Sequence, residues 1–270
     1  MRIIISIVAC LSCALQSVAQ QPVEKLISTE KKFANTSKEQ STKKAFLSFV
    51  DSNCIGFNNG EQLNVFKEWT GRKEDSSKLT WQPNFAIIAS SGELGVTAGP
   101  WEYRPTSLQD TPVAHGNFTT VWKKKSNGEW KAIMDMGTSY QENIENNPSI
   151  KIIVLNNKNS VDNAEAMQAD KSFAALFKND PAKAIEDVIE KESWVSINGF
   201  APYKGVENIK NAISKMPAGT EFTPIGSFMS TNADLYVVYG TVIMNNKKQS
   251  YMRVWKRDNK NWKLIAMVLS

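Results

Sequence analysis

Two reactive residue types are almost missing from this chain. His115 is the single histidine among 270 residues, and the three cysteines are Cys10, Cys13 and Cys54. So small a set cannot supply the common Cys/His zinc clusters, and His115 with Cys54 has no third group to complete a thiol triad. There is no glycine-rich phosphate loop, and neither a metal nor a cofactor is expected. Long apolar runs are also scarce. The longest, residues 3–15, falls short of the roughly 18 residues that suggest a spanning helix, so no transmembrane segment is expected. Charge of one sign is not concentrated either: the net charge is +5, with Lys and Asp/Glu interspersed and the basic runs 123–125 and 247–248 in apparent turns. A nucleic-acid surface needs a basic stripe with interleaved aromatics, and without one no nucleic-acid partner is expected.

The N-terminus does carry a signal. Arg2, the apolar run after it, and the small residues Ser17 and Ala19 form the pattern of a secretory signal peptide cleaved after Ala19. Export, to a periplasm or out of the cell, is the expectation. The IVAC of residues 7–10 is also similar to a lipoprotein cleavage box, but cleavage there leaves too short an apolar core, so a lipoprotein is the lesser alternative. Removal of residues 1–19 takes two cysteines with it, leaving Cys54 and no internal disulfide.

The length suits two domains of roughly 120 residues each, and the chain repeats itself. VWKKKSNGEWKAIMD at residues 121–135 returns as VWKRDNKNWKLIAMV at 254–268. Upstream, Phe33 matches Phe173, NNG at 58–60 matches ING at 197–199, and ELGVTAG at 93–99 matches DLYVVYG at 234–240. Each half opens with helical patterns, and Asp180-Pro181 is a helix start in the second. Each closes with strands and a hairpin whose turn is polar, SNGE or DNKN. Helices followed by an antiparallel meander imply an α+β fold: two tandem cone-shaped domains, each with N-terminal helices packed on a curved sheet. The boundaries read as a signal at 1–19, a first cone at 20–147, a linker at 148–162 and a second cone at 163–270. Within the linker, IKIIVL at 150–155 is too apolar to lie in water and is expected to add an edge strand or pack where the domains meet. The two halves could pair as an intrachain pseudo-dimer, or copies of the chain could form a homodimer through the sheets.

The order of helices, LGVTAGPWEY and HGNFTTVWKKKSNGEWKAIMDMG resembles the nuclear transport factor 2-like superfamily, which includes ketosteroid isomerases and SnoaL-like polyketide cyclases. Within it the likeness is to the uncharacterised "domain of unknown function 4440" group. It covers residues 23–140, while residues 163–270 keep the hairpin but lack the Trp-Glu pair, the His-Gly and the terminal Asp. The resemblance implies a pocket between the helices and the concave sheet, and in enzymes of the superfamily an Asp or His in the cone moves a proton beside a carbonyl. Asp135 and His115 are therefore the candidate acid and base.

Pairing Lys125 with Glu129 across the turn places Asp135 opposite Thr119, on one face with His115 and Asn117, with His115 roughly 13 Å further along. Trp81, Trp101, Glu102, Tyr103, Asn117 and Thr119 are the candidate ligand contacts. Each also has an ordinary structural reading, with tryptophans in the core and Glu102 as a solvated edge charge. The second copy offers Arg253 and tyrosines, which could bind an anionic or aromatic molecule or could belong to a structural partner that covers the first copy. The leading functional expectation is a binding module for a small, partly apolar molecule in the first cone. A cofactor-free isomerase, cyclase or hydrolase is the alternative, and a non-catalytic interaction scaffold is a third.

Overall fold

In the computed structural model, the first helical pattern becomes α1 (Ile4–Glu39) and α2 (Thr42–Phe49), separated where Ser41 caps α2 by accepting the Lys44 amide at 3.2 Å. The structure describes residues 4–142, 149–157, 163–259 and 261–270, and only the helical path of residues 4–21 and 163. After α2 come β1 (Val50–Asn58), β2 (Glu61–Asn64), α3 (Val65–Gly71), β3 (Lys78–Trp81), β4 (Phe85–Ile88), β5 (Leu94–Arg104), β6 (Ala114–Lys124), β7 (Trp130–Tyr140) and β8 (Lys151–Val154). The second half runs α4 (Asn163–Asn179), α5 (Pro181–Glu186), β9 (Trp194–Ile197), β10 (Tyr203–Lys204), α6 (Val206–Ile213), β11 (Glu221–Met229), β12 (Leu235–Met244), β13 (Lys247–Asp258) and β14 (Asn261–Leu269). Asp180 caps α5, accepting the Lys183 amide at 3.0 Å, with Pro181 in the first turn, where its missing N–H has no bond to lose.

The two sheets have one plan. The first is ordered β2-β1-β7-β6-β5-β4-β8, with β3 also on β5, and the second β10-β9-β14-β13-β12-β11. In each, the strand after the first two helices lies parallel to the last hairpin strand: β1 on β7, and β9 on β14. Helices lie over one face of each sheet, where Phe33, Phe46 and Trp122 pack in the first half and Phe173, Phe177 and Trp255 in the second. The opposite faces pack on each other, joining Val96, Val121 and Met134 to Val237, Val254 and Ala266 in one core. The faces that a homodimer through the sheets would use are therefore already buried within the chain.

The hairpin register departs from simple alternation. Lys125 does bond to Glu129, and Trp122 lies opposite Ala132, but Val121 lies opposite Met134. Ile133 is the extra residue of a β-bulge, which bends the strand and tightens the local twist of the cone. The same device recurs at Ile265, between the pairs Trp255–Leu264 and Val254–Ala266. Beyond the bulge every side chain of β7 changes face. Asp135 therefore lies opposite Thr120, which corrects the expected pairing with Thr119.

The stretch read as a linker contributes structure to the first half. β8 lies parallel to β4, and Leu155 enters the core between the sheets. Residues 148 and 158–162 of that stretch lie outside the described residues. Among the described residues, no helix is long and apolar enough to cross a membrane.

Candidate functional site

The first cone encloses a cavity of about 460 Å³ between the helices and the concave face of the sheet. Its wall is mainly aromatic: Phe33 and Phe46 from the helices, Trp81 from β3, Trp101 and Tyr103 from β5, and Phe118 from β6. Trp101 reaches its position because β6 has no side chain beneath it. A Cβ on Gly116 would stand 2.7 Å from the indole ring and 1.8 Å from the Thr138 carbonyl. The Trp101 indole N–H then donates to that carbonyl at 3.2 Å.

Asp135 is the carboxylate in this wall. It is half-buried, with its open side on the cavity, and Thr120 Oγ1 donates to its Oδ1 at 2.8 Å. No other hydrogen bond reaches its side chain among the described residues. Burial pushes its pKa up to about 6, against the opposing effect of the Thr120 bond.

A second carboxylate, outside the candidates drawn from the sequence, lies deeper. Glu30 of α1 is fully buried and accepts from Trp81 Nε1 at 2.6 Å, Thr97 Oγ1 at 2.6 Å and Trp122 Nε1 at 3.1 Å. Burial pushes its pKa up to about 7, with the charge of Asp135 adding to the rise and the three hydrogen bonds restraining it. A repeated signal could have found it: an acid three residues ahead of a buried Phe opens both halves, Glu30 before Phe33 and Asp170 before Phe173.

The remaining candidates divide between two faces. Trp81, Trp101 and Tyr103 line the cone with Asp135. His115, Asn117 and Thr119 point the other way. His115 pairs across the ladder with Glu102, its Nε2 lies 3.0 Å from the Glu142 carbonyl oxygen, and its ring meets Tyr140 edge-on at 5.2 Å. Glu102 is salt-bridged to Arg104 at 2.7 Å. Asn117 is buried and bonds to the Phe118 carbonyl, while Thr119 is buried with its hydroxyl unpartnered among the described residues. The expected polar strip of His115, Asn117, Thr119 and Asp135 is thus split by the Ile133 bulge. Asp135 and His115 do not flank one ligand in this geometry.

At the position matching the Thr120–Asp135 pair, the second cone is filled. Arg253 occupies the register position of Thr120, and Met267 that of Asp135. Arg253 is fully buried and forks onto Asp170, with Nε to Oδ1 at 2.7 Å and Nη2 to Oδ2 at 2.8 Å. Its guanidinium lies 4.4 Å from the ring centres of both Phe222 and Tyr251. Arg253 is therefore committed to an internal pair. The second half does reach the first site: Asn198 stands at the cavity rim and accepts from the Ser139 amide at 2.9 Å.

No family model matches the chain, and no curated protein matches it. The finer likeness to the "domain of unknown function 4440" group thus gains no family model in support. Solved structures do align. Nuclear transport factor 2 from Cryptosporidium parvum is 13% identical over 42% of this chain and 96% of its own, with a TM-score of 0.36. An NTF-2 like protein of unknown function from Shewanella oneidensis is 18% identical over 43% and 98%, with a TM-score of 0.35. An NTF2-like protein from Cytophaga hutchinsonii is 18% identical over 41% and 98%, at 0.34. Each spans less than half of this chain. The chain is similar to these NTF2-like proteins in fold, and the likeness carries no argument about activity.

Proposed function

We propose that the first cone binds a small, mainly apolar molecule that presents one hydrogen-bond donor to Asp135. The observation that carries this reading is a carboxylate with a single protein hydrogen bond in an aromatic cavity of about 460 Å³. A buried carboxylate without partners is costly, so the free Oδ2 of Asp135 favours a guest that donates to it. The plugged second cone supports a division of labour in which the second half is a scaffold that closes the rim of the first through Asn198. Calorimetric titration with para-ethylphenol and its methyl ether, para-ethylanisole, tests the reading. The phenol should bind the more tightly by roughly tenfold or more, as expected for a hydrogen bond to a charged acceptor. Equal binding of the two would remove Asp135 from the account.

A second reading has its own support. A carboxylate whose pKa is raised to about 6 by an apolar site suits proton abstraction beside a carbonyl. In this reading Asp135 is the base and takes the proton on Oδ2, while Glu30 sets the field behind it. Deuterium exchange at the carbons beside the β-tetralone carbonyl, followed by proton NMR, should then run faster with the protein than with Asp135→Asn. Equal rates would leave binding alone.

Export is part of the same proposal, and Pro22 supports it. Proline disfavours a helix interior but is tolerated in a first turn, and cleavage after Ala19 would bring Pro22 into the first turn of the remaining α1. Intact mass of the protein recovered from its own host tests this; a mature chain starting at Gln20 is expected, and an acylated Cys10 would overturn it.

A further inference from the structure

Trp194 and Lys204 are direct partners in the β9–β10 pair, so their side chains leave one face of the sheet side by side. That face borders a crevice of about 260 Å³ between the two halves, whose opposite wall carries Phe85, Ala98 and Asn117. Trp194 is 5% exposed and meets Phe85 edge-on at 6.1 Å, yet its indole N–H finds no hydrogen-bond partner among the described residues. Lys204 is exposed at the mouth of the crevice and has no ion-pair partner among the described residues. Of the other charges at the crevice, Glu192 is already taken by Lys151 at 3.0 Å, and Lys191 adds a further cation.

An orphaned buried donor is costly, and beside it stands the unpaired ammonium of Lys204, an exposed residue. One acceptor of negative charge would satisfy both groups at once. We infer that the crevice between the halves is a binding site for a small carboxylate, held by the Lys204 ammonium and the Trp194 indole N–H, with Phe85 against its apolar body. An apolar wall beside the cations suits an anion with a carbon skeleton better than a phosphate dianion. The site is separate from the first cone, since Asp135 lies on the other face of the first sheet.

Benzoate is the probe, and benzyl alcohol its neutral counterpart. The readout is the indole N–H signal of Trp194 in a nitrogen–proton NMR spectrum, assigned by its loss in Trp194→Phe. Benzoate at millimolar concentration should move that signal, and benzyl alcohol should leave it in place. Lys204→Met should weaken benzoate binding roughly tenfold or more, Lys204→Arg should retain most of it, and Asp135→Asn should not change it. An unmoved signal, an equal response to benzyl alcohol, or unchanged affinity in Lys204→Met would each overturn the inference. If Lys204→Met does not fold, the comparison of benzoate with benzyl alcohol on the parent protein decides it.

Discussion

Thr120 and Arg253 hold the same register position in the two sheets, one opposite Asp135 and the other opposite Met267. These two exchanges leave the first cone open at this position and fill the second there. A threonine leaves room for a guest and donates to the carboxylate across from it. An arginine reaches back to Asp170 and packs its guanidinium among Phe173, Phe222 and Tyr251.

Arg253→Met should be strongly destabilising. It removes the charge that compensates Asp170, which is 4% exposed, and breaking one side of a buried ion pair costs about 3–5 kcal/mol. Urea unfolding measures the loss. The double variant Arg253→Met with Asp170→Asn should recover part of it, because no charge is then left buried; no recovery would mean that the cost comes from packing.

Thr120→Arg should carry the plug into the first cone. The new guanidinium can pair with Asp135 or Glu30, so the fold should survive while para-ethylphenol binding is lost. Calorimetry and near-ultraviolet circular dichroism together report both. Undiminished binding in a folded Thr120→Arg variant would place the ligand elsewhere.

The two carboxylates of the first cone set a pH dependence. The folded-state pKa values of Asp135 and Glu30, about 6 and about 7, lie above the ordinary values of 3.8 and 4.5. The folded state therefore binds these protons more tightly than the unfolded chain, and stability falls as pH rises from about 4 to about 7, remaining lowered above that. Asp135→Asn removes one of the two contributions and keeps an acceptor for Thr120. It should equal the parent near pH 4 and exceed it near pH 8 by on the order of 2 kcal/mol. Chemical denaturation at the two pH values checks this; a variant less stable than the parent at the higher pH would show that the charged form of Asp135 is stabilising.

The repeat, the helix starts and the hairpin turns were legible because each has a side-chain signature: Phe33 with Phe173, Asp180 before Pro181, and a polar SNGE between aromatic runs. The Ile133 bulge has none, since an isoleucine in a strand looks the same whether it is paired or extra. Alternation counted from the turn therefore held as far as Trp122 and failed beyond it, moving Asp135 from the face of Thr119 to that of Thr120. Glu30 was hidden for another reason. An acid on a lysine-rich helix reads as solvated, and only the fold brings Trp81, Thr97 and Trp122 to it across 51, 67 and 92 residues of chain.

Because His115 lies on the far face, His115→Ala should bind para-ethylphenol as the parent does. A loss of binding in His115→Ala would restore the two residues to one site and contradict the observed register.

The central claim is that a guest occupies the first cone against Asp135, and isotope-filtered nuclear Overhauser contacts from bound para-ethylphenol test it most directly. The account predicts contacts from the ring to Phe33, Phe118 and the Thr120 methyl, all on the cone face, and their disappearance in Thr120→Arg. Contacts to Phe85 and Trp194 in the crevice between the halves, with none to Phe33, Phe118 or Thr120, would contradict it.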